Sequence, residues 1–84
     1  MRKYKISSNL AISENGFLFY PLTGESFTVN QMGVQILNLL KKEEKPEQII
    51  SAIIDEYDTD HATAERDLGE FLTQLKNYKL VNEL

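Results

Sequence analysis

The chain has 84 residues, of which 42% are hydrophobic and 26% charged, with a net charge of −4 and no cysteine. This length suits one small domain, and no apolar run approaches the ~20 residues of a membrane-spanning helix. The lack of cysteine excludes disulfides and thiolate metal sites, which a small secreted domain would often use. We therefore expect a single cytoplasmic domain over 1–84, with residues 1–8 as a lead that could be flexible.

Two turn signals divide the front third of the chain into three predicted strands. Asn15-Gly16 lies between apolar runs and favours a tight hairpin, because both residues tolerate positive φ. Pro21 and Gly24 frame a second turn, in which proline fixes φ and glycine permits the left-handed position. The predicted antiparallel strands cover residues 9–14, 16–21 and 25–29.

Helical periodicity fills the rest of the chain, with Asn30 as a favoured N-cap and Pro46 suited to a first turn. Apolar residues recur on one face of each segment. The predicted helices cover residues 31–42, 46–57 and 61–78. The expected helical core consists of Leu40, Ile49, Ile53, Phe71, Leu72 and Leu75. The predicted fold class is α+β and winged-helix-like, a three-stranded antiparallel sheet followed by a three-helix bundle.

The chain offers little catalytic chemistry. His61 is the only histidine, and the nearby Asp58 and Asp60 lie where caps of the third helix are expected. A metal site usually needs several converging ligands, and neither a nucleophile–base pair nor a phosphate-binding glycine loop is recognisable. We expect no enzymatic activity, no metal and no cofactor. Gly33, inside the first helix, is interpreted as a close-packing position.

Winged-helix proteins often bind DNA, which makes a small DNA-binding regulator an alternative. The polar face of the second predicted helix, however, carries Glu47, Gln48, Asp55 and Glu56. On the third helix, Arg66 is one cation among three carboxylates. Such faces cannot neutralise several phosphates, so we expect no nucleic-acid partner.

The second predicted strand is apolar over four consecutive residues, 17–20. Side chains alternate across a strand, and three helices would most naturally cover one face of a three-stranded sheet. Large apolar groups then remain on the other face. Either Tyr4, Ile6 or Leu22 covers them, or they form a surface for a partner. Self-association through this sheet, giving a homo-oligomeric structural protein, is a further alternative.

Several short segments, in the same order and spacing, resemble the PqqD family and related recognition domains of ribosomally made, post-translationally modified peptides. The resemblance runs from about Leu10 to Val81, and Lys45 departs from it where a serine or threonine cap would be usual. The matching segments are residues 18–25, 27–33, 36–37, 46–49, 57, 67, 71–72, 75 and 80.

This resemblance implies a peptide chaperone. It would bind the leader of a precursor peptide as an added strand, in a cleft between the third strand and the last helix. It would then present the peptide to a modifying enzyme, often a radical S-adenosylmethionine enzyme, as a monomer or weak homodimer without cofactor or membrane contact. The candidate peptide-binding residues are Glu25, Ser26, Phe27, Thr28, Val29, Arg66, Asp67, Leu68, Glu70 and Gln74. Among them, Asp67 and Glu70 could pair with a basic leader residue and Arg66 with an acidic one.

Overall fold

The computed structural model describes residues 3–83, so Met1, Arg2 and Leu84 of the predicted ends lie outside the described residues. The fold is mixed α+β. Its elements are β1 (Tyr4–Ile6), β2 (Ala11–Ile12), β3 (Phe17–Tyr20), β4 (Glu25–Thr28), α1 (Gln31–Lys41), α2 (Pro46–Tyr57), α3 (His61–Asn77) and β5 (Val81–Glu83). The three predicted strands and three predicted helices are all present. The first predicted strand, expected over 9–14, is reduced to two residues.

Strands β2, β3 and β4 form the predicted antiparallel meander. Gly16 has a φ of 90°, and a Cβ at this position would collide with the carbonyl oxygen of Val29. Only glycine fits such a turn without strain. The N–H of Val29 donates to the Gly16 carbonyl at 2.8 Å, which extends the pairing of β3 with β4 by one residue pair.

A second sheet was not predicted from the sequence. The segment Tyr4–Ile6, assigned above to a flexible lead, pairs antiparallel with Val81–Glu83. Ile6 lies opposite Val81, and both side chains are buried. The Tyr4 hydroxyl also donates to Glu83 Oε1 at 3.2 Å. The chain therefore has a two-stranded sheet beside the three-stranded one.

Each helix begins at a residue whose neighbours satisfy its first N–H groups. The side chain of Asn30 accepts from the N–H of Gly33 at 2.8 Å at the start of α1. At α2 the preceding lysine has no side-chain acceptor. There the Gln48 side chain accepts from the Lys45 N–H at 3.0 Å, and Pro46 occupies the first turn. The unusual Lys45 is thus compatible with a normal helix start.

The core lies between the helices and the inner face of the three-stranded sheet. Leu72 and Leu75 are buried as predicted, whereas Phe71 is only partly buried. The predicted partners are also in the core, as are two apolar residues at the start of the segment that pairs with β1. These buried residues are Leu40, Ile49, Ile53, Leu80 and Val81.

The outer face of the meander carries two exposed aromatic side chains. Leu18 is buried, but Phe17 and Phe19 are 60% and 46% exposed. Of the residues that could have covered them, Tyr4 packs against the core and Leu22 is itself 67% exposed. The sequence left two alternatives for this face: cover by another segment, or a surface for a partner. Within residues 3–83, no segment covers it.

We predict that Leu75→Ala lowers the free energy of unfolding by about 2–5 kcal/mol, because it removes buried apolar contact and leaves a cavity. Leu22→Ala is the control, since an exposed leucine should change stability by no more than about 0.5 kcal/mol. Urea unfolding followed by circular dichroism measures both. Equal costs for the two variants would contradict the assignment of Leu75 to the core.

Candidate functional site

Strand β4 forms one edge of the three-stranded sheet. The hydrogen bond between Val29 and Gly16 marks one bonded pair of the β3–β4 ladder. Bonded and non-bonded pairs alternate in an antiparallel ladder, so Phe27 belongs to a bonded pair, and Ser26 and Thr28 do not. The N–H and C=O groups of Ser26 and Thr28 therefore point away from β3. The edge offers two donors and two acceptors to another strand.

Beside this edge lies a cleft of about 480 Å³, between β4 and the C-terminal half of α3. Its walls combine apolar and aromatic side chains with polar groups, among them the amides of Gln74 and Asn77. The strand contributes Phe27, Thr28 and Val29, and the helix side contributes Phe71, Gln74 and Tyr78.

The two walls touch at one end of the cleft. The rings of Phe27 and Tyr78 have centroids 4.6 Å apart and are tilted by 51°. This geometry is typical of favourable aromatic pairs. Tyr78 is nevertheless 53% exposed, so about half of its surface remains accessible to a ligand.

Two further hollows continue the cleft and extend it into a groove. A hollow of about 300 Å³ shares Phe71 and Gln74 with the cleft and runs past Gly33 toward Asp67 and Glu70. A hollow of about 460 Å³ shares Tyr78 and continues to the turn between β3 and β4. We call the three together the groove. It has carboxylates at its α1 end.

Most of the predicted site residues line this groove. In the central cleft lie Phe27, Thr28, Val29 and Gln74. Asp67 and Glu70 line the hollow at the α1 end, and Glu25 lines the hollow at the turn beside Lys79. The structure thus brings the two predicted halves, β4 and α3, together across one continuous depression.

Three predicted site residues have other positions. Leu68 is fully buried, with 0% exposure, and packs in the core, because the residue four positions after Ala64 stays on the inner helix face. Arg66 lines none of the three hollows and forms an exposed ion pair with Asp67 at 3.7 Å. Ser26 turns its side chain to the outer sheet face and reaches the groove edge only through its main chain.

Sequence reasoning missed Phe71, Asn77 and Tyr78 as groove residues. Phe71 was assigned to the core, although its ring lines both the cleft and the adjacent hollow. The available signal was helical spacing, since residues three or four apart share a face. Extending the polar face from Gln74 by one turn leads to Asn77 and Tyr78.

At Gly33, the backbone of α1 lies close to two residues of the groove. A Cβ here would lie 2.9 Å from Val29 Cβ and 3.3 Å from the Phe71 ring. The interpretation of Gly33 as a close-packing position is therefore confirmed. Because both neighbours line the cleft, the glycine also sets how far they stand from the helix.

Outside the groove, the carboxyl group of Asp60 interacts with the N-terminal end of α3. The Thr63 N–H donates to Asp60 Oδ1 at 2.7 Å and lowers the pKa of that carboxyl. Asp60 thus caps α3, as predicted, with His61 as the first helical residue. Within residues 3–83, no three histidine or acidic side chains converge in a way that could hold a metal ion. No helix in the same range is both long and apolar enough to span a bilayer.

The sequence model of the family described as coenzyme PQQ synthesis protein D (PqqD) matches residues 15–81. TbiB1, solved in complex with the TbiA(beta) leader peptide, shares 37% sequence identity with this chain and has a TM-score of 0.83. The match covers 93% of this chain and 94% of that chain. Lasso peptide synthetase B1 complexed with the leader peptide has a TM-score of 0.83 at 19% identity. It covers 95% and 98% of the two chains and shows the fold alone. No curated protein sequence matches this chain.

We predict that Gly33→Ala is less stable than Gly69→Ala by about 1–3 kcal/mol. Both substitutions gain roughly 1 kcal/mol of helix propensity. Only at Gly33 must a packed neighbour move, whereas a Cβ at Gly69 meets nothing within 4 Å. Urea unfolding of the two variants tests this, and equal stabilities would contradict the close approach.

Proposed function

The chain belongs to the PqqD family, and from this membership and the open edge of β4 we propose that it binds the leader region of a ribosomally synthesised precursor peptide. One observation carries the proposal. By the strand register, the main-chain donors and acceptors of Ser26 and Thr28 face the edge that borders a cleft of about 480 Å³. An extended peptide can satisfy these groups while it places side chains in the cleft.

The relative with the higher identity supports the same reading. TbiB1 was solved in complex with the TbiA(beta) leader peptide, and its fold matches across almost the whole of both chains. In this chain the leader would add as a fourth strand beside β4. Main-chain hydrogen bonds supply affinity with little sequence demand, so the groove side chains must supply selectivity.

The groove offers two kinds of selectivity along its length. Alternate side chains of an added strand point toward α3, where Phe27, Phe71 and Tyr78 present aromatic surface for an apolar leader residue. Beyond them, Asp67 and Glu70 stand at the α1 end and suit a basic residue. These carboxylates are not deeply buried, so each pairing contributes at most about 1 kcal/mol.

We further propose that the chain presents the bound leader to a modifying enzyme and has no catalytic activity itself. It would act in the cytoplasm, where precursor peptides are made, as one winged-helix-like domain. A DNA-binding role is disfavoured because the polar residues of α2, among them Glu47, Asp55 and Glu56, are acidic and exposed.

We predict that Thr28→Pro weakens leader binding by about tenfold or more and leaves the fold intact. Proline removes the N–H that points to the open edge, and edge strands tolerate proline at such positions. The probes are fluorescently labelled leader peptides: the TbiA(beta) leader and the leader of any short precursor found in the gene neighbourhood. Anisotropy gives Kd, and circular dichroism reports the fold.

Thr28→Val is the matched control, because it keeps the N–H and the β-branched shape and loses only the hydroxyl. Its affinity should stay within about twofold of the wild type, since strand addition depends on the main chain. Folded Thr28→Pro with wild-type affinity would place the peptide elsewhere. Wild-type protein that binds neither leader would overturn the proposed function.

We also predict that dialysis against EDTA leaves leader affinity within about twofold of its starting value. Binding through main-chain hydrogen bonds and apolar contacts needs no metal ion. Elemental analysis of the purified protein accompanies the titration. A stoichiometric ion whose removal abolishes binding would contradict this prediction.

A further inference from the structure

The outer face of the meander is a neutral, partly apolar surface on the opposite side of the sheet from the core. We define the outer face as Ala11, Phe17, Phe19, Ser26 and Thr28. Strand register places Ala11 and Ser26 on either side of Phe19, and Thr28 beside Phe17. None of the five carries a charge, whereas the solvent face of an antiparallel sheet is usually polar.

Packing among residues 3–83 leaves the side chains of Phe17 and Phe19 exposed. They are 60% and 46% exposed, and the core cluster contains neither. Single exposed apolar residues are common, but two large aromatic groups side by side on one strand form a patch. Such a patch indicates an interaction surface.

The small size of the outer face argues against a stable homodimer. Two strands of four residues and one of two, spaced about 4.8 Å apart with about 3.3 Å per residue, cover roughly 160 Å². A specific, stable interface needs about 800 Å² from each partner. The outer face is therefore too small for a stable interface by itself, and additional surface must contribute to any contact made there.

In the proposed complex, the leader would supply that additional surface. A strand added to β4 places its alternate side chains on the outer face, in line with Ser26 and Thr28. Because these two neighbours are small, the peptide side chains lie next to the rows that contain Phe17 and Phe19. The remaining peptide side chains point into the groove. The outer face thus becomes a composite of protein and peptide only when the leader is bound.

We propose that this composite face is the docking site for the enzyme that modifies the same peptide, an inference that rests on the proposed function. The enzyme would present an apolar, uncharged surface that contacts the two phenylalanines and the outward-facing leader residues together. The enzyme would then bind the protein–leader complex more tightly than the protein without leader. By thermodynamic reciprocity, the enzyme would tighten leader binding by the same factor.

The test compares Phe17→Thr/Phe19→Thr with Tyr57→Ser. Threonine keeps strand propensity and removes the aromatic surface. Tyr57 is an exposed aromatic residue on α2, away from both the groove and the outer face. The purified enzyme encoded beside the precursor is titrated into each protein with and without saturating leader, at low and at moderate salt.

We expect the double variant to bind leader within about twofold of wild type and to bind the enzyme at least about tenfold more weakly. Tyr57→Ser should match wild type in both. The contact should change little with salt, because the face is uncharged. If the double variant is unstable, p-benzoylphenylalanine at position 17 of the wild-type protein should crosslink to the enzyme only when leader is present.

Two outcomes overturn the inference while the proposed function stands. In one, wild type binds leader, but its enzyme contact does not depend on the two phenylalanines or on the leader. In the other, sedimentation shows a homodimer that the double variant abolishes, so that a second copy occupies the face. Failure of wild type to bind any leader is a different result, because it removes the proposed function first.

Discussion

A single main-chain hydrogen bond, from the Val29 N–H to the Gly16 carbonyl, sets the register on which the rest of the molecule depends. It decides which residues of β4 face β3 and which face the open edge. It also decides which of four consecutive apolar residues enter the core. A slip of one residue would exchange the two faces of the strand, burying Phe17 and Phe19 and exposing Leu18. Gly16 makes this register possible because no other residue fits beside the Val29 carbonyl.

The groove is a consequence of that register combined with the length of α3. The helix runs alongside the edge strand and carries Phe71 and Gln74 past it in successive turns, with Tyr78 at its C-cap. Gly33 allows α1 to approach the same wall from the other side. The groove is therefore built from elements of regular secondary structure, and the ring contact between Phe27 and Tyr78 joins the strand to the C-cap of α3. A site of this kind is largely formed before a ligand arrives.

Features that depend on short stretches of sequence were predicted correctly. The Asn15-Gly16 turn, the Asn30 cap and the long apolar stripes of the helices are short-range signals, and these elements were found close to their predicted bounds. The pairing of β1 with β5 was missed because two three-residue segments at opposite ends of the chain leave no periodicity. In the candidate site, the β4 residues named from the sequence lie along the groove or at its edge. On the helix side, the face that lines the groove differs from the predicted one: Leu68 lies in the core and Tyr78 lines the groove. Sequence alone does not determine which polar positions of a helix face a given strand.

The pairing of β1 with β5 also bears on the order in which the molecule can assemble. This sheet joins the earliest and latest described segments, and contacts so distant in sequence form slowly and late. Leu80, which lines the cleft, directly precedes β5. During synthesis the meander is therefore complete while the wall opposite its open edge is still missing. A nascent chain at this stage exposes an unpaired strand edge without the helix that later flanks it, which is the point of greatest risk for aggregation.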